Sequence, residues 1–193
     1  AMGPLAEMPQ DEIERQYATN LYGPLALIRA LVPSMQQRGG GRIVNIGSVS
    51  GILVTPFSGL YCSTKAALHA VSDALRMELA PFKIQVAVVQ PGAIESEFGA
   101  NAEASLGRTF GAQSLYSSVK DGVLKRARAS QNNPTSTVQF VTELVQILEL
   151  ESIPPVIRIG NGSLIMPLVA RWVPIRLRDF ALRHSFHLNR LKK

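Results

Sequence analysis

A single cysteine, Cys62, stands in the whole chain, so no internal disulfide can form and the fold has to be held by packing. That usage agrees with a reducing compartment. The apolar run from Leu164 to Ile175 is broken by Arg171 and is too short to span a bilayer. The first residues are small, polar and acidic, without the basic-then-apolar layout of a secretory leader. Also missing is a glycine-rich loop between a strand and a following helix. Gly39-Gly40-Gly41 follows a helical run and precedes a strand, the reverse of the order that cradles phosphate, and reads as a helix stop.

What is present is the composition of a globular domain. The chain has 193 residues, 46% hydrophobic and 18% charged, enough for one sizeable core and too apolar for a disordered segment. The net charge of +6 is unevenly placed. Residues 154–193 hold eight basic side chains (Arg158, Arg171, Arg176, Arg178, Arg183, Arg190, Lys192, Lys193) against Asp179 alone, so the body carries about −1.

Hydrophobic periodicity predicts a long helix over 9–38, with Ile13, Tyr17, Leu21, Leu25, Ile28, Leu31 and Val32 recurring at helical spacing. Gly23-Pro24 loosens its middle, because Pro24 has no N–H to offer the Asn20 carbonyl. The β-branched run 42–48 predicts a strand, too continuously apolar for a sheet with one wet face. A second long helix is expected over 58–81, with Ala66, Ala67, Ala70 and Ala74 on a small-residue face, and a second strand over 84–90, closed by Pro91-Gly92. Residues 97–133 read as irregular and helical by turns. A third amphipathic helix covers 135–151, with Val138, Val141, Leu144, Val145 and Leu148 inward, and a short strand follows over 155–159.

The chemistry-bearing stretch opens the second helix. Tyr61 and Lys65 lie four apart and share one helix face, so an ammonium charge can approach the phenol and lower its pKa from about 10. That makes Tyr61 a candidate general acid/base. Ser48 lies thirteen residues earlier at the end of a strand, the edge where ligands bind in open α/β sheets. Ser50 is a rival for its role. His69 falls one turn past Lys65 without an evident orienting partner and reads as structural. Arg108, Lys120, Lys125, Arg126 and Arg128 read as a solvated helix face, with contact to an anionic head group as the alternative.

Asn20, Ser48, Tyr61 and Lys65, followed by Pro91-Gly92, resemble the second half of the short-chain dehydrogenases/reductases, with their Asn-Ser-Tyr-Lys tetrad. The resemblance covers nearly the whole chain to about Phe98 and then weakens. It implies an α/β fold, a three-layer Rossmann-like parallel sheet. In that family the sheet runs 3-2-1-4-5-6-7. This chain would hold only strands 5, 6 and 7, strands 1–4 would be absent, and strand 5 would show an unpaired edge. Residues 1–162 would then be the C-terminal part of the family's domain and 163–193 an apolar-basic helical extension. The chain is expected to be part of a longer protein.

By the same resemblance, Tyr61 exchanges the hydroxyl proton and Ser48 orients the carbonyl. Lys65 lowers the tyrosine pKa and binds the nicotinamide ribose, and Asn20 holds a water that connects to the lysine. Asn20, Tyr61, Lys65, Pro91, Gly92, Ile94 and Ser96 would meet the cofactor, expected to be NADP(H), with NAD(H) as the alternative. No metal and no nucleic acid is implied. Val54-Thr55-Pro56-Phe57, Glu78-Leu79-Ala80-Pro81-Phe82 and the C-terminus look most like the lipid-handling members. The nearest likeness is to the NADPH-dependent 1-acyldihydroxyacetone-phosphate reductases, with steroid and retinol dehydrogenases next. A lipophilic small-molecule substrate, a homodimer and a cytoplasmic setting follow, with contact to an endoplasmic-reticulum or lipid-droplet surface. Two other classes stay open: a non-catalytic membrane-surface or assembly protein that keeps the tetrad as a relic, and an epimerase or dehydratase on the same tetrad. The 163–193 extension reads equally as a membrane-surface element or as a helix pair capping the substrate pocket.

If the adenosine half of the site lies outside these residues, the isolated chain binds NADP(H) poorly. Titration of the chain with NADPH checks this, and a micromolar dissociation constant would contradict it.

Overall fold

The computed structural model describes residues 1–191; Lys192 and Lys193 of the basic tail lie outside the described residues. Three parallel strands form the sheet in the order β1 (Gly41–Ile46), β2 (Ile84–Val89) and β3 (Val156–Ile157). The central strand β2 is apolar except for Gln85 because it is covered on both sides. Successive side chains of a strand point to opposite faces. Ile84 and Val86 pack with Ile28, Ile43 and Leu79 on one face, while Ala87 and Val89 pack with Ile153, Ile157 and Ile159 on the other. The expected strand over 155–159 is shorter as a paired strand. Its ladder nonetheless continues through the amides of Val88, Gln90 and Gly92, which donate to the carbonyls of Pro155, Ile157 and Ile159.

The helix expected over 9–38 is α1 (Gln10–Tyr17), a π turn (Ala18–Tyr22) and α2 (Gly23–Gln37). The break has the cause read from the sequence. With no N–H on Pro24, the Gly23 amide reaches back to the Ala18 carbonyl and the turn widens. Gly39 and Gly40, both at positive φ, end α2, and the Gly40 amide donates to the Met35 carbonyl at 3.0 Å. The second long helix is α3 (Gly59–Leu79), tied to β1 by a buried bond from Asn45 Nδ2 to Ser72 Oγ at 2.9 Å.

Beyond β2, the segment expected to be irregular and helical by turns contains two helices, α4 (Phe98–Thr109) and α5 (Lys120–Arg128). With α4, α5 and the turn before α3, Met2 builds a separate core of Phe57, Leu106, Val119, Val123 and Phe186. Next comes α6 (Thr137–Leu148), started by Ser136, whose hydroxyl accepts the Gln139 amide. The inward face of α6 differs from expectation. Phe140, Leu144, Ile147 and Leu148 pack on the sheet, whereas Val138, Val141 and Val145 are exposed. Val138, Val141 and Val145 widen the apolar arc opposite Gln139, Glu143 and Gln146, so periodicity alone did not fix the rotation. Two short helices, α7 (Ile165–Trp172) and α8 (Ile175–Ser185), follow β3. Among the described residues no helix is long and apolar enough to cross a membrane.

The outer edge of β1 has no strand partner among the described residues. A groove of about 600 Å³ runs along it, lined by Asn20, Leu27, Leu31, Ile46 and Lys65 among others.

Ahead of α1, the chain is stapled into the second core. The Gly3 amide donates to the Phe57 carbonyl at 2.8 Å and the Met2 amide to Ser105 Oγ at 3.1 Å. The almost fully buried Glu12 accepts from Arg108 at 2.5 Å and from Arg15, so it joins α1 to α4. Burial alone would push this carboxyl up, but the two guanidiniums outweigh it and hold it below the usual carboxylate range. A depressed carboxylate contributes stability above its unfolded pKa and loses it as pH falls through the folded value. Glu12→Gln should therefore cost about 1–3 kcal/mol at neutral pH and lower Tm by several degrees. The gap from the wild type should close as pH drops below the ordinary carboxylate range. Thermal denaturation across pH measures both.

Candidate active site

The site is built where the C-terminal edge of the sheet meets the first turns of α3. Parallel strands place the ends of β1 and β2 side by side, and the Val49 amide donates to the Pro91 carbonyl at 3.2 Å across them. Ser48 and Pro91-Gly92 therefore open onto one edge. Gly92 is required there, since a Cβ would lie 2.0 Å from the Asn161 carbonyl oxygen.

The start of α3 is fixed by a buried network of side chains. Thr55 Oγ1 and Ser58 Oγ are 2.8 Å apart, and Ser58 Oγ lies 3.3 Å from Cys62 Sγ. Phe57 holds a left-handed φ of 64°, unusual for a bulky residue, and its ring packs edge-on against Tyr116 at 5.7 Å. The loop is thereby locked and the next turn presents Tyr61.

The structure brings Ser48 near enough to Tyr61 for the serine hydroxyl to favour the ionised phenol. Ser50 contributes instead through its amide, which donates to Ser48 Oγ at 3.1 Å. His69 has the orienting role that its position alone did not reveal. Its Nε2 accepts the Ser48 backbone N–H at 3.3 Å, and it packs so close to Gly47 and Gly51 that a Cβ at either would collide with it. Burial, and then the Lys65 charge, hold the imidazole below its ordinary range, which keeps it neutral and able to accept.

Lys65 departs from expectation. Its Nζ donates to the Ile46 carbonyl at 2.7 Å and lies 5.8 Å from the centre of the Tyr61 ring. The phenol pKa is raised, not lowered. Burial dominates, and it is only partly offset by the Ser48 bond and the charge of Arg126. Phe98 of α4 covers the ring, with centroids 5.1 Å apart, and helps keep water from the phenol.

Asn20 sits in the π turn, and its Nδ2 donates to Thr64 Oγ1 at 3.0 Å; Thr64 in turn donates to the Tyr61 carbonyl. Asn20 and Lys65 share the groove along β1. Ile94 bridges to Thr135 and packs against Gly160. Ser96 is exposed, donates to the Ile94 carbonyl at 3.3 Å, and lies two residues before the Phe98 that touches Tyr61.

The residue that sequence reasoning missed is Arg126, which had been read with the solvated basic face. It is 6% exposed, and its Nε donates to Thr55 Oγ1 at 2.5 Å. Among the described residues no carboxylate pairs with it. The spacing could have found it, because Arg126 lies three residues after Val123 and next to Ala127, both on the inward face of α5. Ser48 and Tyr61 thus place two hydroxyl groups, each able to donate a hydrogen bond, at one edge of the sheet.

The sequence profile of the short chain dehydrogenase family matches residues 1–107. A 3-ketodihydrosphingosine reductase of Bacteroides thetaiotaomicron is 29% identical over 184 residues, covering 94% of this chain and 67% of the relative. A dehydrogenase/reductase SDR family member 7B of Xenopus laevis is 42% identical over 127 residues, 66% of this chain and 36% of the relative. The chain thus spans two thirds of the length of the first and about a third of the second. The fold of a short-chain dehydrogenase from Streptomyces avermitilis superposes with a TM-score of 0.71 at 24% identity, over 97% of this chain and 67% of that one. A serine dehydrogenase complexed with NADP+ superposes at 0.65 and 22% identity, over 84% of this chain and 60% of that one.

Arg126→Met should move the Tyr61 phenol further up, and Arg126→Lys should leave it closer to the wild type. Titration of 13Cζ-labelled tyrosines by NMR, with Tyr61→Phe to assign the resonance, reads this directly. An unmoved midpoint in Arg126→Met would refute the charge effect.

Proposed function

This chain belongs to the short chain dehydrogenase family, and on that premise we propose that it carries the catalytic residues of an oxidoreductase acting on a carbonyl/alcohol pair of a lipophilic substrate, with NADP(H) as partner. The observation that carries the reading is the placement of Ser48 and Tyr61 beside each other at the C-terminal edge of a parallel sheet. In the reduction, Ser48 and Tyr61 hydrogen-bond the substrate carbonyl oxygen, and negative charge grows on that oxygen as hydride arrives. Tyr61 then gives its proton to the new alkoxide. A phenol held above its usual range by burial starts protonated, the state that this direction needs. His69 keeps Ser48 in place through the serine amide.

When bound, the nicotinamide supplies the hydride. The residues present fit it. The Lys65 ammonium has three donors and spends one on Ile46, which leaves two for ribose hydroxyls in the groove that it shares with Asn20. Asn20 is assigned the support of a water relay to Lys65, and Pro91, Gly92, Ile94 and Ser96 the nicotinamide end. We take residues 1–162 as the family's catalytic unit and 163–193 as its extension. Strands β1–β3 correspond to the last three of the family's sheet, with the free edge of β1 as the place of the next strand.

The lipophilic class has support in the relatives' names. One is a 3-ketodihydrosphingosine reductase, and mouse retinol dehydrogenase 5 is 43% identical over 91 residues, 47% of this chain and 28% of that relative. An acyldihydroxyacetone-phosphate-like ketone is the specific candidate. Such substrates favour a cytoplasmic enzyme working at an endoplasmic-reticulum or lipid-droplet surface. Homodimerisation is assigned to the outer side of α3, where Ala67, Ala70 and Ala74 leave room for close helix approach.

Tyr61→Phe in the intact enzyme should reduce turnover by about 10²–10⁴-fold and leave NADPH binding in place. Oxidation of NADPH with a long-chain ketone measures the first, and nucleotide titration the second. Retained turnover would sink the acid/base assignment. Deuterium from labelled NADPH found in the product would separate net reduction from an epimerase.

A further inference from the structure

We propose that α7 and α8 form a docking element for a membrane surface carrying anionic phospholipid headgroups. On α7, Leu164, Ile165, Leu168 and Trp172 recur at three- and four-residue spacing and so share one face, and all are exposed, Trp172 at 72%. The connection and α8 add Ile175, Leu177 and Phe180, the last 73% exposed. Bare apolar side chains this dense and contiguous in sequence are uncommon on a soluble surface and mark a covered one. The two helices act as a unit, because the Arg178 guanidinium on α8 donates to the Ala170 carbonyl of α7 at 3.0 Å.

Charge selects the occupant. Arg171, Arg176, Arg178 and Arg183 are interleaved with the apolar positions, and among the described residues none of them pairs with a carboxylate. Asp179 is the sole acid in the element. A second copy packed face to face would set arginines against arginines. A nucleic acid would satisfy the arginines and leave the leucines and Trp172 in water. An anionic bilayer surface satisfies both sets at once: the apolar side chains enter the acyl boundary while the guanidiniums stay among phosphates. The Arg171 guanidinium lies 5.5 Å over the Trp172 ring, a pairing suited to that boundary. Both helices are far too short to span, so they lie in the surface plane.

The element adjoins the catalytic region. A cleft of about 460 Å³ separates α8, at Arg178 and Leu182, from the loop Val54–Phe57 and Gly59 at the start of α3. Docking goes beyond the oxidoreductase reading and does not depend on it. Only its consequence, that a lipid substrate enters from the bilayer through this cleft, rests on that reading.

Trp172 is the one tryptophan of the chain, which makes it a direct reporter. The full chain is mixed with vesicles of phosphatidylcholine alone or with phosphatidylserine added. The expected result is flotation with the serine-lipid vesicles, falling as salt is raised. A blue shift of Trp172 emission and its quenching by tail-brominated lipid should accompany it. Leu168→Ser with Phe180→Ser should lose flotation with circular dichroism unchanged, and Arg171→Gln with Arg176→Gln and Arg183→Gln should lose the preference for anionic lipid. No flotation, or flotation indifferent to both variant sets, overturns the proposal. So does self-association in sedimentation that the Ser variants abolish while vesicles stay unbound, which would assign the face to a second copy. None of these readouts measures turnover, so their failure is distinct from a failure of the enzymatic reading.

Discussion

The packing of α3 against the C-terminal ends of β1 and β2 is the constraint on which the rest depends. It is unusually close because glycines at positions 47 and 51 leave room for the His69 ring, and that ring takes up the Ser48 amide. Move α3 outward by the width of a methyl group and two things fail together. The serine loses the partner that fixes its backbone, and Tyr61, two turns earlier on the same helix, leaves its hydroxyl. The buried Asn45–Ser72 bond resists that movement from the strand side, since an amide stripped of its partner inside the core is costly.

The electrostatics of the phenol follow from the same closeness. A tyrosine with a lysine one turn away reads as an acidified phenol, and on an open helix that inference would hold. Here Lys65 is turned toward the carbonyl at the end of β1, and Phe98 shields the ring from water, so desolvation dominates. The cation that works against desolvation comes from the other direction, as Arg126 on α5. The guanidinium is itself buried without a carboxylate, a costly arrangement, and it is held by the Thr55 hydroxyl that also braces the start of α3. The helices that cover the phenol thus also bring charge to it.

What could be read in the sequence was whatever local chemistry decides. Pro24 dictates the π turn at Asn20, the glycines after Gln37 dictate the stop, and β-branched runs dictate β1 and β2. The family resemblance then brought Asn20, Ser48, Tyr61 and Lys65 into one neighbourhood. What could not be read was whatever the tertiary environment decides. The rotation of α6 was hidden because its apolar arc is wider than the stripe that packs on the sheet. The bounds of α4 and α5 were not legible because their sequences are only weakly apolar, and packing against Met2, Phe57 and Phe186 stabilises them. His69 looked partnerless because its partner is a backbone amide, and Arg126 was lost among neighbours that do face water.

Two sides of α3 therefore present different surroundings within one turn. Lys65 opens with Asn20 onto the groove along the free edge of β1, while Tyr61 faces the second core, with Phe98 on one flank and Arg126 on another. A helix can divide space in this way because a four-residue step brings two side chains to the same face yet lets their long, flexible ends diverge. Hydride transfer needs the donor and acceptor carbons in direct contact, with the proton-bearing group beside the carbonyl oxygen. The groove side is open and lined mostly by apolar side chains around Asn20 and Lys65, and the other side is apolar and covered. Helix α8 lies on the side of the second core, which Leu182 joins, across a cleft from the loop that positions Tyr61.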